Sequence, residues 1–201
     1  MPANPLSLTS ELDAVNLMLR AIGESRVQTL EDATHEDAAD ALELLRHWNM
    51  TVQEEGWRFN TRVDVLMTRD PSNQISTPVN TLSVRTSGDS VDVPVSLIDG
   101  KLFNVQDNSF DWTRDLYVTL VLHYDFAKIP QSARNYIVQC AGLEFVGNEA
   151  PSTPRPQFSR ERLLAARSAL RRTESLVRKP NILTGSLHAL KMQIGRRPFT
   201  P

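Results

Sequence analysis

One cysteine, four histidines and eight glycines in 201 residues remove several chemistries before any pattern is read. A lone Cys140 excludes an internal disulfide, and among Tyr136, Ile137 and Ala141 it reads as a small core hydrophobe rather than a nucleophile. A zinc site needs Cys or His at short recurrent spacing, whereas His35, His47, His123 and His188 are scattered. Neither metal nor cofactor is expected. Gly88, Gly100 and Gly142 occur singly, so no glycine-rich loop cradles a phosphate, and no Gly-x-Ser-x-Gly elbow presents a serine. No apolar run approaches the roughly 18 residues of a membrane span. Met1-Pro2-Ala3-Asn4-Pro5-Leu6-Ser7 has neither a basic start nor an apolar core, so a chain folding in a cytosol, without a secretory signal, is the expectation.

What is present is an ordinary globular composition, 40% hydrophobic and 23% charged. A chain of this length suits one domain with or without an appendage, burying roughly 70% of the surface its unfolded form exposes. The net charge of −2 hides a division: residues 1–154 hold 11 Lys and Arg against 22 Asp and Glu, and residues 155–201 hold 11 against 2. The two parts therefore carry −11 and +9. A basic segment of that kind meets an acidic surface or a phosphate backbone.

Ser10 and Asp13 form a capping pair ahead of Leu12, Val15, Leu19 and Ile22, which repeat at helical spacing until Gly23 supplies a left-handed stop. A second pair, Thr34 and Asp37, precedes Ala38, Leu42, Leu45, Trp48 or Asn49, and Val52, a helix of about 30 Å ending at Gly56. From Trp57 the period becomes two, through Phe59, Val63, Val65 and Met67. Val91, Val93, Val95 and Leu97 alternate toward Asp99-Gly100, a turn that favours positive φ, with Leu102, Phe103 and Val105 beyond it. Asp107-Asn108-Ser109 turns again, and residues 116–122 are β-branched enough for a buried strand. Four to six strands in a mainly antiparallel sheet are predicted. Pro130 is placed at the first position of a third helix, with Ala133, Ile137, Cys140 or Ala141, and Glu144 or Phe145 on its mostly apolar stripe and Gly147 at its end. Residues 147–157 read as a linker or an extended arm. A fourth helix over 159–178 aligns Leu163, Ala166, Leu170, Thr173 and Val177, and a basic tail follows.

The expected fold class is therefore α+β: about four helices in a bundle, with a mainly antiparallel β-sheet inserted between the second and third, and an extended C-terminal tail. Residues 1–56 form the helical hairpin, 57–128 the sheet domain, 129–178 the helices completing the body, and 179–201 the tail.

Candidate sites are few. Glu54 and Glu55, with Asp64 nearby, supply the carboxylates a glycan hydrolase needs, but adjacent helical residues diverge by about 100°; solvated charges are the better reading. Trp57 and Phe59 read as core beneath the helices rather than as a base-stacking platform, since Arg58 and Arg62 point the other way in a regular strand. The basic end is a different matter. Arg160, Arg162, Arg167, Arg171, Arg172, Arg178, Lys179, Lys191, Arg196 and Arg197 are read as partner-binding, since arginine docks on carboxylates as readily as on phosphates.

The order Ala14-Val15-Asn16, Leu19, Ile22-Gly23-Glu24, Val27, Thr29-Leu30-Glu31, Gln53, Gly56-Trp57 and Phe59-Asn60 resembles the N-terminal region of the tail tubular protein A family of short-tailed phages (podoviruses). Tyr124-Asp125, Pro130, Arg134, Tyr136-Ile137-Val138, Ala141 and Phe145 resemble that family's return from sheet to helices. Gly23, Gly56, Trp57, Phe59 and Pro130 are the structural signature. The resemblance implies a structural virion protein and not an enzyme: a head-to-tail adaptor and gatekeeper that assembles in the host cytoplasm as a homo-oligomeric, twelvefold ring. That ring would join the portal protein to the tail nozzle (tail tubular protein B) and line the channel through which viral DNA is ejected without sequence-specific binding. Two alternatives are a glycan-degrading envelope hydrolase in the tail and a DNA-binding module built on the basic end; the latter's affinity must fall steeply with salt.

Overall fold

The computed structural model describes residues 8–31, 35–149 and 157–177. Among them four helices and five strands form an α+β fold in which α1 (Glu11–Ile22) and α2 (Glu36–Glu54) precede the strands, and α3 (Gln131–Glu149) and α4 (Arg160–Val177) follow them. The strands are β1 (Thr61–Met67), β2 (Thr81–Thr86), β3 (Val95–Ile98), β4 (Lys101–Asn104) and β5 (Leu116–Leu122).

Helix α1 begins as its sequence dictates. The Ser10 hydroxyl accepts from the Asp13 amide, and Asp13 accepts back from the Ser10 amide, satisfying donors the first turn leaves free. Gly23 ends it at φ 97°, a left-handed cap that costs other residues strain. Helix α2 starts at an N-cap, His35, whose side chain makes no capping bond; Thr34, expected to serve, lies outside the described residues. Pro130 stands one position before α3, where its carbonyl accepts from the Ala133 and Arg134 amides. The expected stop at Gly147 fails: α3 continues to Glu149, since an exposed glycine in a helix only weakens it.

Helix α3 packs against α1, α2 and α4. Val15, Met18 and Leu19 of α1, Ala41, Leu45 and Val52 of α2, Ala133, Ile137, Ala141 and Phe145 of α3, and Leu170 of α4 form one continuous core.

The antiparallel sheet between α2 and α3 is divided in two. β5 is the centre of a three-stranded sheet ordered β1-β5-β2, and β3 pairs with β4 in a hairpin. The hairpin turn is the one its sequence predicts, with Asp99 at φ 50° and Gly100 at φ 69°. Leu116, Val118 and Leu120 of β5 join Leu102, Ile75 and Trp112 in a second core.

Three strand expectations change. Trp57 and Phe59 lie in a turn and not in β1, because Gly56 at φ 76° and the bonds of Asn60 described below fold the chain back before Thr61. Both still pack against the helical core. Within β1 a bulge between Arg62 and Val65, with Asp64 at φ 53°, breaks the alternation and leaves Val63 65% exposed. Val91 and Val93 precede β3 in a turn, in which the Ser90 hydroxyl accepts from the Tyr117 amide.

Candidate assembly surfaces

The phrase Gly56-Trp57-Arg58-Phe59-Asn60 is the joint between helices and sheet. The Asn60 amide group donates to the carbonyls of Gln53 (2.8 Å) and Leu122 (3.0 Å), and the Leu122 amide donates to Asn60 O (2.8 Å). Gln53, fully buried, donates to Tyr124 O at 2.7 Å and to Asn49 Oδ1 at 2.9 Å, and accepts from the Tyr124 amide at 2.8 Å. Trp57 Nε1 donates to Val52 O at 2.7 Å while its ring meets Tyr136 edge-on. Gly56 is required twice over: its φ is positive, and an added Cβ would stand 3.3 Å from Val121. Asn49 and Gln53 could have been found as the two amides on the apolar face of α2. The second cluster of family-like residues, around Arg134, is a joint of the same kind. Arg134, 5% exposed, donates to the carbonyls of Ile129 (3.0 Å), Thr9 (2.9 Å) and Ala127 (2.5 Å), stitching α3 to the chain before α1 and to the segment entering α3.

Of the ten basic residues singled out, Arg160, Arg162, Arg167, Arg171 and Arg172 are described; Arg178, Lys179, Lys191, Arg196 and Arg197 lie outside the described residues. The Ser159 hydroxyl accepts from the Arg162 amide at the start of α4, and Leu163, Ala166 and Leu170 face the helical core. Thr173 is exposed, its hydroxyl donating back to Ala169 O at 3.1 Å. Phe158, just before α4, is 3% exposed and lies directly over Gly142 of α3. Arg160, Arg162, Arg171 and Arg172 are exposed. Arg167 instead turns inward: Nη2 is 2.9 Å from Glu55 Oε2 and the guanidinium lies 5.9 Å from the Tyr136 ring centroid. It ties α4 to the end of α2.

That pair also places the carboxylates considered for hydrolysis. Glu55 is held by Arg167, Glu54 is solvated on α2, and Asp64 sits in the bulge of β1. Burial pushes the Cys140 thiol up to about 11 and the Tyr136 phenol up to about 12, so both stay protonated at neutral pH. His123 Nε2 lies 3.1 Å from the Asn49 amide, and His47 stacks edge-on beside Trp48; His188 is outside the described residues. Among the described residues no His, Cys, Asp and Glu group is arranged to hold a metal, and no helix is long and apolar enough to cross a membrane.

The model of the tail tubular protein family matches residues 12–180, from α1 through the end of α4. Tail tubular protein A of Klebsiella phage KP34 is 29% identical over 127 residues, covering 63% of this chain and 66% of that relative, just under two thirds of its length. With a family match running across both helical joints and the whole sheet, the chain belongs to the tail tubular protein family, and its role is that of a structural protein of a phage tail.

Proposed function

We propose that the chain is the subunit of an adaptor ring, twelvefold, that joins the portal protein to the tail nozzle and lines the DNA channel. The observation that carries this reading is a division of charge that survives folding: the part before residue 155 carries −11, while α4 turns Arg160, Arg162, Arg171 and Arg172 to solvent. A ring needs two different surfaces on one subunit that fit one another, and opposite charge gives that fit and fixes its direction. An acidic channel wall has a second use, since it keeps passing DNA from adhering.

In this reading residues 1–56 and 129–178 are the ring body, residues 57–128 are an arm reaching toward the nozzle protein, and α4 with the basic 179–201 grips the portal and neighbouring subunits. Assembly takes place in the host cytoplasm and the product is part of the virion tail. The network of Gln53, Asn60 and Tyr124 holds arm and body in fixed relation, as a load-transmitting adaptor requires. Negative-stain imaging and mass measurement of the purified chain, alone and mixed with purified portal, test the proposal. Rings that add to portal are expected. A chain that stays monomeric in both, at concentrations well above those in an infected cell, overturns it, as does turnover on purified envelope polysaccharide abolished by Glu54→Gln or Glu55→Gln.

A further inference from the structure

We propose that the groove between α2 and α3 is the receiving half of the contact between neighbouring copies, and that it takes an exposed flank of α4 from the next copy. The inference rests on the proposed ring and names the surface that closes it. The groove, about 290 Å³, has Leu44 and Phe145 in its lining and is walled by Asp40 and Glu43 of α2 and Glu149 of α3. His47 and Asn148 complete it, so no lysine or arginine lines it.

An exposed flank of α4 is its complement in charge and carries an apolar side chain for its apolar lining. Arg160, Leu164 and Arg171 are spaced four and seven apart and so share one side of the helix. Leu163, Ala166 and Leu170 pack against the helical core about a quarter turn round the helix, and the stripe beside them stays exposed. Leu164 is 55% exposed, an apolar knob flanked by two solvated arginines. An acidic groove with an apolar floor and a basic stripe with an apolar knob are what a desolvated anchor inside a charged rim needs. DNA is a poor occupant, because the acidic walls repel phosphate. Groove and stripe are different patches, so the contact is head-to-tail and propagates from copy to copy until it closes.

The test uses two charge reversals in the full chain, Asp40→Lys with Glu43→Lys in the groove and Arg160→Glu with Arg171→Glu on α4. All four residues are exposed, and circular dichroism checks that each variant keeps its helices. Native mass spectrometry should show each variant self-associating at least about tenfold more weakly than the parent chain. An equimolar mixture should assemble again, because the basic stripe of one variant meets the acidic groove of the other and the acidic stripe meets the basic groove. Rings of either variant alone, formed as readily as the parent's, overturn this contact and leave the ring intact, and so does a mixture that fails to assemble while the parent does. A parent chain that is monomeric alone and with portal overturns the ring itself, and this contact with it.

Discussion

Replacing Gly142 by alanine is expected to destabilise the protein, although alanine is the better helix former. A Cβ built at this position stands 2.1 Å from Phe158 Cε1 and 2.4 Å from Cδ1 and Cζ, whereas carbon atoms settle at about 3.5–4.0 Å. The ring must therefore retreat by about 1.5 Å from a pocket in which it is 3% exposed, and the entry of α4 must follow. Overfilling of this kind costs about 1–3 kcal/mol. Helix propensity returns about 1 kcal/mol, leaving a net loss on the order of 1 kcal/mol. Phe158→Ala alone should cost about 3–5 kcal/mol. In that background the clash is gone and only propensity remains, so Gly142→Ala should stabilise by up to about 1 kcal/mol. Urea unfolding followed by circular dichroism on the four chains of this cycle reads the change of sign. A Gly142→Ala effect of the same sign with and without the Phe158 ring refutes the packing argument.

Other perturbations address the remaining joints. Gln53→Leu removes the acceptor of the part-buried Tyr124 amide and should lower stability by about 1–3 kcal/mol, seen as a lower urea midpoint and faster hydrogen exchange at Tyr124. Arg134→Met strips charge-assisted donors from three carbonyls and should cost on the order of 3 kcal/mol or more, with loss of folded yield at elevated temperature as the first sign. Ser10→Ala should cost about 1 kcal/mol in chemical unfolding. The Ser10 hydroxyl and amide hold the Asp13 carboxyl below its ordinary range, so the contribution of this box is present at neutral pH and is lost as pH falls through the folded-state value; the penalty of Ser10→Ala should shrink in strong acid.

Periodicity and capping residues made most of the architecture legible, and the misses have specific causes. Ser10, Gly23, Asp99-Gly100 and the buried β5 were readable because each depends on its own few neighbours. The strand through Trp57 and Phe59 was misread because alternation also arises in a turn whose two aromatics face one core; what decides the turn is Asn60 bonded to Leu122, 62 residues away in sequence. Val63 alternates correctly on paper, yet a bulge rotates it into solvent. Gly142 reads only as a glycine that occurs singly and gives no sign of the Phe158 ring, which reaches it across a connection that breaks the helical pattern. On α4, composition marked five described arginines alike. Folding separates them, because Arg167 alone lies within reach of Glu55 and Tyr136.

That separation bears on how α4 can act. A basic segment that is merely flexible binds acidic surfaces of many shapes and loses side-chain and backbone freedom each time it does so. Here α4 is fastened at three points along its length: Phe158 over Gly142 at its entry, Arg167 to Glu55 near its middle, and Leu170 fully buried one turn later. Glu174 adds a fourth by accepting from the Arg58 amide, which links α4 to the joint between helices and sheet. Arg160, Leu164 and Arg171 are consequently held at fixed spacing on a helix that cannot roll without breaking internal contacts. A face preorganised in this way can discriminate by shape as well as by charge, which is what an assembling subunit needs in a cell where nucleic acid offers acidic surface everywhere.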